Sequence, residues 1–63
     1  MRQYDRVRLC NNLYIEEGLF KGDVGYILEV YNDGKFEVEF SKRDTGETIA
    51  LIVVDENDIE LAE

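Results

Sequence analysis

The segment from Lys21 to Phe40 most constrains the fold, because it has the pattern of two β-strands joined by a tight turn. The turn is Asn32-Asp33-Gly34, and these residue types tolerate the positive φ angles that hairpin turns require. After the turn, apolar and charged residues alternate strictly from Lys35 to Phe40. Such alternation places one face of a strand in a core and the other in water. The segment therefore predicts an antiparallel β-hairpin.

The first strand of this hairpin, Lys21 to Tyr31, begins with Gly22-Asp23-Val24-Gly25. Two glycines so close together indicate a tight turn or a bulge, in which the Asp23 carboxylate can accept backbone N–H bonds. The segment lacks the spacing of a phosphate-binding loop and the helix that follows one, so we expect a structural role.

Three further segments have strand patterns. Tyr4 to Cys10 alternates and predicts a first strand with Val7 and Leu9 facing inward. The β-branched run Thr48 to Val54 predicts the most buried strand. Asp55 is expected to cap a short 3₁₀ turn, after which a last strand forms around Ile59 and Leu61.

The connection from Asn11 to Gly22 has no clear period. A helix over Leu13 to Glu17 is an alternative, but Gly18 would end it within a turn or two. We expect a long loop that folds back on the core and is held by Leu13, Ile15 and Leu19. Tyr14 and Phe20 either cover the end of the fold or serve as exposed binding anchors.

Together these patterns predict an all-β fold. Five short strands, no proline and no long helix fit one small antiparallel SH3-like barrel, with one short 3₁₀ turn before the last strand. The length of 63 residues allows a single domain covering residues 1–63.

The charge narrows the choice of partner. Fifteen Asp and Glu residues oppose seven Lys and Arg residues, which gives a net charge of −8. Nucleic acids and anionic membranes are bound through Lys and Arg, so this charge argues against both. It favours either solubility alone or a basic protein partner reached by electrostatic steering.

The residue types also argue against catalysis. The chain has no histidine and one cysteine, Cys10, so neither a His-based catalytic arrangement nor the usual zinc ligand set is expected. The acidic segment Asp55 to Glu60 lacks the glycine and the final glutamate of a calcium-binding EF-hand loop. A single thiol, no signal peptide and no long apolar run predict a cytoplasmic protein that is not an enzyme and uses no cofactor or metal.

Two motifs resemble known families. Gly22-Asp23-Val24-Gly25 followed by Val38-Glu39-Phe40 is similar to SH3-like barrels of the KOW type and of nitrile-hydratase β-subunits. Over nearly its full length the chain resembles a family of small stand-alone bacterial proteins classed as a domain of unknown function (DUF4926), whose pattern continues through Thr48-Ile49-Ala50-Leu51 to Asp58-Ile59. The chain departs from that family at Tyr26, where a small threonine is usual.

The resemblance implies several functions. KOW-type domains often bind RNA or ribosomal proteins, nitrile-hydratase β-subunits support a catalytic partner, and small domains of this kind often sit beside toxin-like proteins. Combined with the net negative charge of the chain, the resemblance predicts a protein-binding module that blocks a basic toxin, in the manner of an antitoxin or immunity protein. The alternatives are an accessory domain of an enzyme complex and, less favoured, an RNA-associated binder.

The surface predicted to meet this partner combines carboxylates with aromatic anchors. The candidate residues are Tyr14, Glu16, Glu17, Phe20, Tyr26, Tyr31, Glu37, Glu39, Asp44 and Glu47. Exposed strand edges and the tyrosines also make a homodimer an expected possibility.

Overall fold

The computed structural model describes residues 1–62 as one curled antiparallel sheet. The five strands are β1 (Arg6–Leu9), β2 (Val24–Val30), β3 (Lys35–Ser41), β4 (Thr48–Asp55) and β5 (Ile59–Leu61). Their order in the sheet is β4-β3-β2-β1-β5. Two 3₁₀ turns, Ile15–Glu17 and Glu56–Asp58, are the helical segments of the described residues. The all-β, five-stranded antiparallel prediction is confirmed, but β4 and β5 are the two ends of the sheet, which is not closed into a barrel by hydrogen bonds.

The predicted hairpin is present as β2 and β3. Gly34 adopts a φ of 77°, and the Tyr31 N–H donates to the Lys35 carbonyl oxygen at 2.9 Å across the turn. The apolar residues of β3 are buried, as the alternation predicts, whereas its charged residues are half-buried rather than fully in water.

The core lies on one face of the sheet and contains residues from every strand. Val7 and Leu9 of β1 are 0% and 1% exposed, which confirms their predicted inward orientation. The other buried apolar residues of the cluster are Leu19, Ile27, Phe36, Val38, Phe40, Val54 and Ile59.

The prediction that Thr48 to Val54 is the most buried strand is wrong. β4 is an edge strand, and Leu51 and Val53 are 52% and 49% exposed. The reason is that an edge strand has a neighbour on one side only, while the small core covers only one of its faces. The apolar residues on its other face therefore remain in solvent.

The connection between β1 and β2 is also less buried than expected. Leu13 and Ile15 are 73% and 51% exposed, so their predicted role in the core is wrong, whereas Leu19 is fully buried as predicted. Gly18, at a φ of 81°, ends the 3₁₀ turn in the left-handed conformation and redirects the chain so that Leu19 enters the core.

The connection is held to the second 3₁₀ turn by the buried carboxylate of Asp58. Tyr14 donates its hydroxyl to Asp58 Oδ2 at 2.5 Å, and Asn11 donates its amide to Asp58 Oδ1 at 2.9 Å. The Asp55 N–H also donates to Asp58 Oδ2, while the Asp55 side chain accepts from the Asn57 N–H, as the predicted cap requires. These bonds join the long loop to the start of β5.

Gly25 marks a close approach between strands rather than a turn. It lies within β2, and a Cβ added there would sit 2.5 Å from the Glu39 carbonyl oxygen and 2.8 Å from Val38 Cγ1. The turn before β2 is provided by Gly22, at a φ of 96°, and by Asp23, whose carboxylate accepts the Phe20 N–H at 2.8 Å. The register irregularity of β2 lies further along, between Ile27 and Glu29.

Substitution of Gly25 should therefore destabilise the sheet. We expect Gly25→Ala to lower the free energy of unfolding by about 3 kcal/mol, because the clashing atom is backbone and cannot move away. Gly46→Ala is the control: nothing lies within 4 Å of its added Cβ, although φ is 74°, and it should cost about 1 kcal/mol. Urea denaturation of both variants measures the difference, and equal losses would contradict the close approach.

The Tyr14–Asp58 bond should also give a measurable pH dependence. Burial, followed by the hydrogen bond to Asp58, raises the pKa of Tyr14 from 10.0 to about 12. Because the protonated phenol is favoured in the folded state, this stabilisation is complete below pH 10 and is lost as the pH rises toward 12.

We therefore expect Tyr14→Phe to lose about 1–3 kcal/mol at pH 8, since the buried carboxylate loses a donor. The variant should also lose stability less steeply than the wild type between pH 10 and 12. Urea titrations across this range test both effects, and parallel curves for the two proteins would show that Tyr14 does not carry the alkaline slope.

Candidate functional site

The face of the sheet opposite the core carries a group of apolar and acidic side chains on β2, β3 and β4. The strand register aligns Tyr26, Glu39 and Leu51 in one row across the three strands. The adjacent row contains Glu29, Glu37 and Val53. These six residues are called the outer face below.

The outer face exposes apolar surface beside carboxylates. Tyr26 is 46% exposed, similar to Leu51 and Val53, whereas Glu37 and Glu39 are half-buried between their cross-strand neighbours. The alternation predicted that this face lies in water, and the two glutamates are less exposed than that prediction implies. The outer face thus combines exposed apolar surface with partly buried carboxylates.

The negative charge of the outer face is not neutralised within the described chain. Glu29 and Glu37 are directly opposite each other, and such like-charged pairs are destabilising. Glu39 accepts a hydrogen bond from Thr48 Oγ1 at 3.0 Å, which leaves its charge in place. No salt bridge within residues 1–62 includes any of these three glutamates. A cation from outside would relieve the repulsion.

One end of the outer face adjoins an open groove of about 760 Å³. This basic groove holds four of the seven Lys and Arg residues of the chain but one carboxylate, that of Glu39. Its lining residues are Arg6, Arg8, Val24, Tyr26, Glu39, Ser41, Lys42, Arg43, Gly46, Thr48 and Ala62.

Two of the four cations in the basic groove are already paired. Arg8 contacts Glu60 at 2.8 Å, and Lys42 contacts Glu47 at 3.3 Å. Arg6 and Arg43 form no ion pair within residues 1–62. The groove is thus a local positive region in an acidic chain.

The opposite end of the same sheet face is electrically balanced. Lys35 Nζ lies 2.7 Å from Asp55 Oδ2. This hydrogen bond lowers the pKa of the Asp55 carboxyl below its ordinary value and raises the pKa of Lys35 above its own. The unbalanced charge of the face is therefore concentrated at Glu29, Glu37 and Glu39.

The ten residues predicted from the sequence do not form one site. Tyr26, Glu37 and Glu39 lie together on the outer face. Tyr31 is exposed at the end of the hairpin, and the β3–β4 loop carries Asp44 and the Lys42-paired Glu47. The remaining four lie on the connection between β1 and β2, where three are exposed and one is half-buried: Glu16, Glu17, Phe20 and Tyr14.

The sequence interpretation missed the apolar part of the outer face and the basic groove. Leu51 and Val53 lie in a run that is apolar at every position, so no alternation shows which residues face outward. The four cations come from two segments far apart in sequence, β1 and the β3–β4 loop, and only the fold brings them together. The adjacent pair Lys42-Arg43 is the one sequence feature that indicates a basic region.

The described residues provide little reactive chemistry. Burial, together with the nearby Glu60 carboxylate, raises the pKa of the Cys10 thiol, which disfavours the nucleophilic thiolate. Within residues 1–62 no three His, Cys, Asp or Glu side chains are grouped to hold a metal ion. No helix in that range has the length and hydropathy needed to cross a membrane.

The chain matches a known protein family over most of its length. Residues 3–61 match the model of a family described as a domain of unknown function, DUF4926. No curated protein and no solved structure matches the chain. Because the match covers almost all of the sequence, including every strand described above, the chain belongs to the DUF4926 family.

Proposed function

We propose that the chain is a non-enzymatic module that binds a basic protein through its outer face. The observation that carries this proposal is the group of three glutamates without a salt bridge, Glu29, Glu37 and Glu39, beside the exposed side chains of Tyr26 and Leu51. A partner that presents Lys or Arg next to apolar groups would relieve the repulsion and cover the apolar surface.

Charge and apolar area contribute to different steps of this binding. The net charge of −8 steers a basic partner toward the chain and raises the association rate. The apolar side chains of the outer face then slow dissociation, because they are buried away from solvent in the complex. Such a division suits an inhibitor that must capture its target quickly and hold it.

The most specific form of the proposal is an antitoxin or immunity protein that blocks a small basic toxin in the bacterial cytoplasm. In this form the curled sheet is an SH3-like barrel, which the strand order and the 3₁₀ turn before β5 support. The group of carboxylates on the outer face can occupy a site on the toxin that otherwise binds nucleic-acid phosphates. An accessory domain of an enzyme complex would bind its partner through the same face. The identity of the captured partner distinguishes this function from toxin inhibition.

The outer-face glutamates can be tested against an equal charge change elsewhere. We expect Glu37→Gln/Glu39→Gln to lower the association rate with the captured partner at least tenfold and to flatten its salt dependence, since the local charge that steers the partner is removed. Affinity capture from a lysate of the source cells, followed by kinetics with the purified partner, measures this.

The matched control is Glu16→Gln/Glu17→Gln, which removes the same charge from the connection between β1 and β2. It should change the association rate no more than twofold. Equal effects of the two double variants would assign the binding to overall charge and contradict an outer-face site. Partners that bind both variants like the wild type would contradict the electrostatic proposal altogether.

A second candidate function is favoured by the basic groove alone. Four cationic side chains beside the exposed ring of Tyr26 are features that bind single-stranded nucleic acid. If this were the function, a fluorescent RNA oligonucleotide should bind at physiological salt, and Arg6→Gln/Arg43→Gln should weaken it and reduce the salt slope by about two.

We expect no such binding, because the acidic remainder of the chain repels the phosphate backbone. Arg2→Gln/Lys21→Gln is the matched control, since it removes two cations that do not line the groove. Salt-sensitive RNA binding that is retained in this control variant and lost in Arg6→Gln/Arg43→Gln would favour nucleic-acid binding over the protein-binding proposal.

A further inference from the structure

The free edge of β4 is a second surface with a clear physical preference. Within residues 1–62, β4 bonds to β3 on one side and has no neighbouring strand on the other. From Thr48 to Val54 it contains no charged residue and no proline, and most of its residues are β-branched. Proteins usually protect such an edge with Lys, Pro or a bulge that twists it away, because an unprotected edge pairs with another strand. The register irregularity of β4 lies at its start, between the Phe40–Ala50 and Ser41–Thr48 pairs, and Ala50 to Asp55 pair regularly with β3.

The outward peptide groups of this edge can be assigned from the ladder. In an antiparallel pair, residues alternate between those that bond to a given neighbour and those that point away from it. The Glu56 N–H donates to the Gly34 carbonyl oxygen at 2.9 Å, so the register directs the even-numbered residues of β4 toward β3. The peptide groups of Leu51 and Val53 therefore point outward, and no hydrogen bond within residues 1–62 reaches them from another segment.

We propose that β4 pairs antiparallel with β4 of a second copy of this chain across a two-fold axis. Ile52 lies at the axis, opposite the same residue of the second copy, and Leu51 lies opposite Val53 of that copy. Each Leu51–Val53 pair exchanges both of its N–H···O bonds, so the outward groups identified above are used. The contact is isologous and closes at two copies, which removes the free β4 edge from both.

The distribution of charge favours a second copy on this edge. Two chains of net charge −8 repel each other over most of their surfaces, but β4 is uncharged from Thr48 to Val54. In the proposed register Asp55 faces Ile49 of the second copy, so no carboxylate is placed opposite another. Asp55 is also neutralised by its own Lys35 at 2.7 Å. The edge is thus the place where two acidic copies meet with little repulsion.

The exposed apolar side chains support the same contact. Leu51 and Val53 are about half exposed in the single chain, and pairing brings the two sets of side chains together as cross-strand neighbours. Ile52 of each copy, half-buried at the edge of the core, meets its equivalent on the other face. This inference concerns the isolated chain and does not depend on the proposed partner.

Sedimentation equilibrium of the purified full chain at physiological salt tests the proposal. The wild type should sediment with twice the mass of one chain, and Leu51→Lys should fall to the mass of one chain, since a charge on the edge blocks strand addition. Leu51 lies opposite Glu39, so the new lysine has an acceptor and the fold should persist. Leu61→Lys is the matched control: Leu61 is 53% exposed on the opposite edge strand, and this variant should remain dimeric.

Two further measurements keep the test decisive if Leu51→Lys fails to fold. Val53→Pro removes an outward N–H without removing a bond to β3, and it should also be monomeric. In the wild type, amide exchange at Leu51 and Val53 should slow at least tenfold as concentration rises from micromolar to millimolar. A wild type that stays monomeric at millimolar concentration, exchange that is independent of concentration, or dissociation caused by Leu61→Lys would each overturn the proposal.

Discussion

The burial of a single sheet face is the constraint on which the rest of this structure depends. A chain of 63 residues has enough apolar volume to cover one face of a curled sheet, and Leu19 from the long connection completes that cover. Phe36, Val38 and Phe40 form the centre of this buried face. Their alternation fixes the register of β3 against both neighbours, since a shift of one residue would turn every one of these side chains into solvent.

The same constraint creates the surfaces available for binding. On the opposite face of the sheet, Tyr26, Leu51 and Val53 remain exposed beside the glutamates of β2 and β3. Because the sheet has ends, β4 keeps a free edge as well. The face is the surface proposed for a basic partner, and the edge is the one proposed for a second copy.

Charge is distributed unevenly over these surfaces. This side of the sheet is acidic at the outer face, basic at the adjoining groove and balanced at the Lys35–Asp55 pair. The net charge of −8 describes the field far from the molecule, whereas a partner in contact meets these separate regions. The acidic middle is also where cross-strand repulsion between Glu29 and Glu37 is tolerated, which a sheet selected for stability alone would avoid.

The sequence by itself determined the all-β class, the hairpin around Gly34, the inward residues of β1 and the capped turn at Asp55. Each depends on residues that are close together in the sequence, through the alternation of side chains along a strand or the conformation of a turn. The tertiary structure decided that β4 is an edge strand, that Leu13 and Ile15 are exposed, and that Tyr14 bonds to Asp58. It also decided that Arg6 and Arg43 share a groove. These features depend on contacts between distant segments, and a uniformly apolar run such as Thr48 to Val54 carries no local signal for which side of it will be covered.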